Sequence, residues 1–476
     1  MNFFSLNSYR GRGGIANVSK VAFPLVVASI GHGVNLFTDR VMLANYSSDA
    51  MAAAFPAGLT SFTMSCIFLG LVGYAGVFVA QYTGAKQPRY VGKAVWQSIF
   101  LALIGGTVMV LTTIFARPMF RWFGHDRSLL EMEVSYYCIL SIGGFIPLVS
   151  SALSTFWGGR AKTRYIMVVN LLITLCNIPL NALLIFGCNF KIGSWSFAVP
   201  GMGISGAAWG TIGAGLIGML VYAGGFITPE SRREYGTCSD PFAWDIFKRM
   251  VRFGLPNSIQ LVLDLATFNI FVILLGKISV DVLAASTVAM SAYSLAFNPM
   301  LGFGQAASIL VGQGVGAKDI PYAERSVRSC RFLVVCYSVV MMVIFIIFPE
   351  MILKMFNLHS ENVRHLARIM LIFTSGYLLF DAFNILYGNA IRGAGDTRFA
   401  MWVGITLGWL LFAIPCAAAY WYFAGESAIG YFGVERARNL CTWTLWWICD
   451  IYIILLGSAL YLRYRHGKWK TMNVIE

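Results

Sequence analysis

The chain has 476 residues, 58% of them hydrophobic and 12% charged, with a mean hydropathy of +0.70. Soluble domains carry about twice that share of charge, and apolar runs recur here from end to end, so a water-soluble fold is excluded and a bilayer is the implied solvent. A net charge of +14 does not point to nucleic acid, because the basic residues lie in short loops between the apolar runs.

Residues 1–19 hold Arg10 and Arg12 but no apolar core followed by a small-residue cleavage site. No removable signal is read there, and the first apolar run is a retained helix. Hydropathy predicts twelve spanning segments, at 20–44, 51–82, 94–116, 131–157, 165–188, 203–227, 251–276, 281–313, 331–349, 366–391, 399–423 and 441–463. The class is therefore an all-α integral membrane protein. An even helix count puts both termini on one side. That side carries 24 of the 35 Lys and Arg residues and the other side 11, so both termini are expected in the cytoplasm, beneath a cell inner (plasma) membrane.

An ionised side chain deep in the bilayer costs at least about 2.5 kcal/mol, so each one in these segments needs a reason. Asp39 lies late in the first segment beside Arg40, and reads as a cation site or as an ion pair. Cys66, Cys138, Cys176, Cys336 and Cys416 fall inside apolar segments and read as small packing residues, not as metal ligands or a disulfide framework. Gly201-Met202-Gly203-Ile204-Ser205-Gly206 spells GxGxxG but follows no strand, so close helix packing explains it better than a nucleotide site. Asp264 lies mid-way along the seventh segment. Asp381 lies in the tenth, with Tyr377 four residues earlier on the same helical face, and no Lys or Arg shares the helix interiors of either carboxylate. Two desolvated carboxylates and a phenol offer hard oxygen ligands for Na⁺, or a place to carry a proton. Gly393-Ala394-Gly395-Asp396 resembles one half of an intramembrane aspartyl protease site. The other half is a Tyr-Asp dipeptide that the sequence lacks, so a turn is expected and an enzyme is not. Asp450, in the twelfth segment, has no neighbour in sequence that completes a site and reads as structural.

A shift of 232 residues aligns the two halves without a gap over some 70 positions. Pro24 meets Pro256, Asp49 meets Asp281, Leu69-Gly70 meets Leu301-Gly302, and Gly84-Ala85-Lys86 meets Gly316-Ala317-Lys318. At a shift of 234, Gly159, Thr163 and Arg164 meet Gly393, Thr397 and Arg398. Six helices per half return the chain to its starting side. The expected organisation is an N-lobe at 20–227, a linker at 228–247, a C-lobe at 248–463 and a tail at 464–476, the lobes related by a pseudo-two-fold axis along the membrane normal. The carboxylates are not duplicated, since Asp264 aligns with His32 and Asp39 with Phe271.

Three stretches together resemble one family: FTDRVMLANYSSDAMAAA, GGRAKTRYIMVVNLLITLCNIPLNALLIFG and NAIRGAGDTR. They are similar to the MATE (multidrug and toxic compound extrusion) transporters, most closely the NorM-type branch, over about residues 18–465. The resemblance implies two six-helix bundles that export amphipathic organic cations against Na⁺ or H⁺ entry, with no cofactor beyond the coupling ion. It places the cation site at Asp264, Tyr377 and Asp381, with Phe297 as an aromatic that stacks on the cargo, and a first-lobe site at Asp39, Asn177 and Asn181. The protein is expected to work as a monomer in the lipid bilayer. NorM relatives carry Glu where this chain has Asp264, and proton-coupled relatives of another branch carry Asp where it has Asn181, so Na⁺ and H⁺ both stay open. A flippase for a lipid-linked saccharide or another lipid is the alternative on the same fold.

Overall fold

The computed structural model describes residues 11–122, 126–192, 195–238, 241–356 and 360–476; part of the predicted N-terminal segment lies outside them. Among the described residues, twelve helices are long and apolar enough to cross a membrane, and they are numbered here α1 to α12. They are α1 Ile15–Tyr46, α2 Asp49–Gly84, α3 Pro88–Arg121, α4 Arg127–Gly158, α5 Thr163–Phe186 and α6 Ile204–Phe226, then α7 Trp244–Ile278, α8 Val280–Gly316, α9 Ile320–Ile347, α10 Glu361–Ala394, α11 Thr397–Ala424 and α12 Val434–His466. Each predicted segment overlaps one of these helices, and most helices outrun the apolar stretch, although α5 and α9 stop short of its C-terminal end and α6 of both ends. α9 begins at Ile320 rather than 331, because its first turns carry Glu324, Arg325 and Arg328, which hydropathy discounts although they favour a helix. α12 likewise begins at Val434 rather than 441, preceded by a short helix at Glu426–Phe432.

Among the described residues, a short strand pair departs from an all-helical fold. Between α5 and α6, β1 (Cys188–Ile192) pairs antiparallel with β2 (Trp195–Val199), Cys188 opposite Val199 and Ile192 opposite Trp195. The pair is too short to have stood out from a loop in the sequence. Inside α11, a π-helical turn at Gly408–Ala413 immediately precedes Ile414 and Pro415. Proline has no N–H to donate, and a widened turn absorbs that break in the ladder.

Packing groups the chain into two compact units whose boundaries fall inside helices, not at the linker that separates residues 20–227 from 248–463. One unit takes α1 up to Val26 with Ile259–Val315 and Asp319–Asn473; the other takes Val27–Ser258 with Gly316–Lys318 and Val474–Glu476. The cuts after Val26 and Ser258 are separated by the same 232 residues that relate the halves. In the first unit Gly302 of α8 lies so close to α1 that a Cβ there would stand 2.5 Å from the Val26 nitrogen. In the second, a Cβ on Gly70 of α2 would stand 2.8 Å from the Ser258 Cα. Only glycine admits backbones this close. The duplication is thus visible in packing as well as in sequence.

Candidate ion and substrate sites

Asp381 on α10 is 4% exposed. The Tyr293 hydroxyl on α8 donates to its Oδ2, and Asn384 Nδ2, one turn further along α10, donates to its Oδ1 at 3.1 Å. The Tyr293 ring meets Tyr377 edge-on at 5.5 Å and lies 5.6 Å from Phe297, one turn along its own helix. The predicted pair of Tyr377 and Asp381 does share a neighbourhood. Among the described residues, however, the phenol bonded to the carboxylate belongs to Tyr293, which sequence spacing could not reveal because it stands on a different helix.

Asp264 on α7 has the side chain of Gln260, one turn earlier, within polar reach. Arg392 Nη2 donates to Gln260 Oε1 at 3.0 Å, which places the guanidinium within electrostatic reach of Asp264. No Lys or Arg lies beside Asp264 in the interior of α7, but this guanidinium reaches it from another helix. Arg392 lies two residues before the end of α10, and its long apolar stem carries the charge back along the bundle. On α12, the Tyr452 phenol lies within reach of both Asp264 and Asp381, and its ring stacks on Phe412 of the π turn at 4.9 Å and 7°.

Asp450 also joins this neighbourhood, against the reading that nothing completes a site around it. It is 5% exposed, and its Oδ1 has no hydrogen-bond partner among the described residues. Its Oδ2 stands 3.6 Å from where a Cβ on Gly376 would be, and it lies within electrostatic reach of Tyr377. A buried polar atom left without a partner costs about 1–3 kcal/mol. Asp450→Leu is therefore expected to raise the thermal midpoint of the detergent-solubilised protein while slowing transport; a lower midpoint with transport unchanged would make the carboxylate a packing group only.

In the other unit, Asn181 Nδ2 of α5 donates to Asp39 Oδ1 at 2.5 Å and reaches Asn177 Oδ1 at 3.2 Å. Thr211 Oγ1 of α6 donates to Asp39 Oδ2 at 3.5 Å. Asp39, Asn177 and Asn181 are thus brought together, and Thr211 is an addition. Among the described residues no ion pair joins Asp39 to Arg40, whose guanidinium stands over the Phe55 ring at 5.7 Å.

The remaining motifs resolve into packing and turns. Gly203 takes φ 55 and Gly206 lies against the Leu184 carbonyl, so the GxGxxG run seats α6 against α5. Gly395, at φ 118, ends α10, and Asp396 pairs with Arg463 at 2.7 Å. All ten cysteines are free. Among the described residues no three His, Cys, Asp or Glu side chains converge as a metal cluster. A cation in either unit would meet carboxylate, amide and hydroxyl groups together.

A duplicated set of spanning helices with carboxylates inside the bundle is the build of a polytopic membrane transporter. Residues 24–183 and 256–425 each match the family model MatE, the two matches beginning at the paired prolines Pro24 and Pro256. The chain belongs to the MATE family, whose members are transporters and not enzymes. It is 24% identical over 432 residues to a probable multidrug resistance protein NorM of Rhizobium meliloti (strain 1021), covering 88% of this chain and 90% of that protein. Its fold matches an outward-facing multidrug resistance MATE family transporter of the MOP superfamily with a TM-score of 0.83 at 16% identity, over 99% of this chain and 100% of the other. A eukaryotic MATE transporter matches with a TM-score of 0.79 at 17% identity, over 96% of each chain.

Proposed function

We propose that the protein exports amphipathic organic cations across the cell inner membrane in exchange for Na⁺ or H⁺, with both termini in the cytoplasm and the monomer as the working unit. The observation that carries this reading is the setting of Asp381: a buried carboxylate bonded to Tyr293, whose ring in turn meets those of Tyr377 and Phe297. An anionic group among aromatic faces suits a cation that is itself greasy, by charge and by cation–π attraction. An inorganic ion competes for the same carboxylate, and antiport follows when the two facing states prefer different occupants. Arg392, acting through Gln260, supplies Asp264 with an internal counter-charge when no cation is bound. Anionic cargo does not suit a site built around carboxylates.

The test is efflux of a cationic dye from proteoliposomes, with Na⁺ and pH gradients imposed one at a time. Dye movement should follow one gradient and should vanish when Asp264→Asn and Asp381→Asn are combined. Gradient-independent movement, or full-rate efflux by the double variant, would refute the coupling and the site.

A further inference from the structure

On the side of the second half that bears the Lys and Arg surplus lies a cavity of about 240 Å³ between α9, α10 and α12. Its charged lining comprises Arg328, Arg331, Arg465, Lys470 and one carboxylate, Glu324. Lys470 pairs with Glu324, and four basic groups against one carboxylate give the lining a clear excess of positive charge. The polar floor is phenolic: the Tyr387 hydroxyl lies within reach of Arg331, and its ring is 5.0 Å from that of Tyr464. The far wall is fixed by the turn Lys468–Thr471, where Trp469 stacks on Tyr464 at 5.2 Å and 9° and donates its Nε1 hydrogen to the Tyr464 carbonyl at 2.9 Å.

The duplication supplies an internal comparison. Lys86 and Lys318, just before α3 and α9, share a left-handed backbone at φ 57 and φ 56, so the 232-residue register runs on into those helices. It pairs Glu324, Arg328 and Arg331 with Gly92, Trp96 and Ile99. In the first half that place is filled by protein: Trp96 Nε1 donates to the Thr237 carbonyl at 2.6 Å, and a Cβ on Gly92 would stand 3.3 Å from both the Gly236 carbonyl carbon and the Thr237 nitrogen. The equivalent place in the second half is open and lined with guanidinium groups.

Its depth narrows the ligand. α9 has 28 residues, about 42 Å of helix, which exceeds a hydrocarbon core of about 30 Å. Arg328 lies about 12 Å along α9 from Ile320 and Arg465 next to the last residue of α12, the level at which that excess of helix ends and the core begins, with Arg331 one turn further in. Guanidinium groups bind phosphate oxygens in a fork, and tyrosines favour the same interface. We infer that this pocket binds the phosphate of an anionic phospholipid headgroup, a phosphate chemistry that a soluble phosphate shares. The inference rests on the chain spanning a bilayer, not on what it transports.

The test is native mass spectrometry and thermal unfolding of the purified full chain, titrated with phosphatidylglycerol, phosphatidylcholine or inorganic phosphate. Wild type should retain phosphatidylglycerol and gain thermal stability from it, and phosphatidylcholine should do neither. Arg328→Gln with Arg465→Gln should weaken phosphatidylglycerol retention at least tenfold, while Arg328→Lys with Arg465→Lys, which keeps the charge and loses the fork, should fall between and show that the pocket still folds. Equal retention by the Gln pair would overturn the site. Stabilisation by inorganic phosphate equal to that by phosphatidylglycerol would overturn the lipid source and leave a soluble ligand.

Discussion

Asp381→Asn is expected to abolish ion-driven efflux while leaving folded protein in the membrane. The amide has nearly the shape of the carboxylate, and its oxygen can still accept from Tyr293. What is lost structurally is one acceptor facing Asn384, worth about 1–2 kcal/mol. What is lost functionally is the charge. Removing one partner of a desolvated charge pair costs about 2–5 kcal/mol, so cation binding should weaken on the order of 100-fold. Tyr293→Phe is the finer probe, because it removes a single donor to a charged acceptor. It should shift the half-saturating ion concentration about tenfold and leave the maximal rate near wild type. Flux at graded ion concentrations separates the two behaviours. If Tyr293→Phe is silent and Tyr377→Phe shifts the ion dependence instead, Tyr377 is the working phenol and the contact at Asp381 is packing.

The number of helices and the carboxylates were legible because each contrasts with its surroundings. Long apolar runs have no soluble explanation, Asp264 and Asp381 stand between apolar neighbours, and Asp39 lies inside a spanning segment. Asn181, the partner of Asp39, came from the family resemblance, but the other partners were not legible. Tyr293 is one of 21 tyrosines, and Thr211 is an ordinary hydroxyl on α6; each acquires meaning only when two helices are laid side by side. Arg392 misled for a different reason. Its Cα belongs to the end of α10, so it counts as a loop charge, yet its side chain is long enough to reach Gln260. Asp450 shows the limit of judging a residue by its own helix, since the group that gives it company is Tyr377, on α10. The compact units were hidden too. Their boundaries at Val26 and Ser258 lie within continuous helices, where neither composition nor hydropathy changes.

The largest expected loss of stability is at the turn between α10 and α11. Asp396 and Arg463 are 4% and 16% exposed in their side chains, and the guanidinium also stands 4.2 Å over the Phe399 ring. Screening by water is therefore small, unlike at the exposed pair of Arg117 and Glu131. Arg463→Gln would leave the Asp396 carboxylate buried without its counter-charge, at a cost of about 3–5 kcal/mol. A lowered unfolding midpoint in detergent and reduced yield of folded protein are the expected readings. The companion variant, Asp396→Leu with Arg463→Met, replaces the pair by apolar groups of similar bulk and should recover most of the midpoint, because neither member is then left charged and alone. If the single variant matches wild type, the pair contributes no more than a surface bridge. If the double variant is as damaged as the single, Asp396 serves the turn through its shape and not its charge. The charge account is favoured by the local backbone, since Gly395 already supplies the left-handed stop that ends α10.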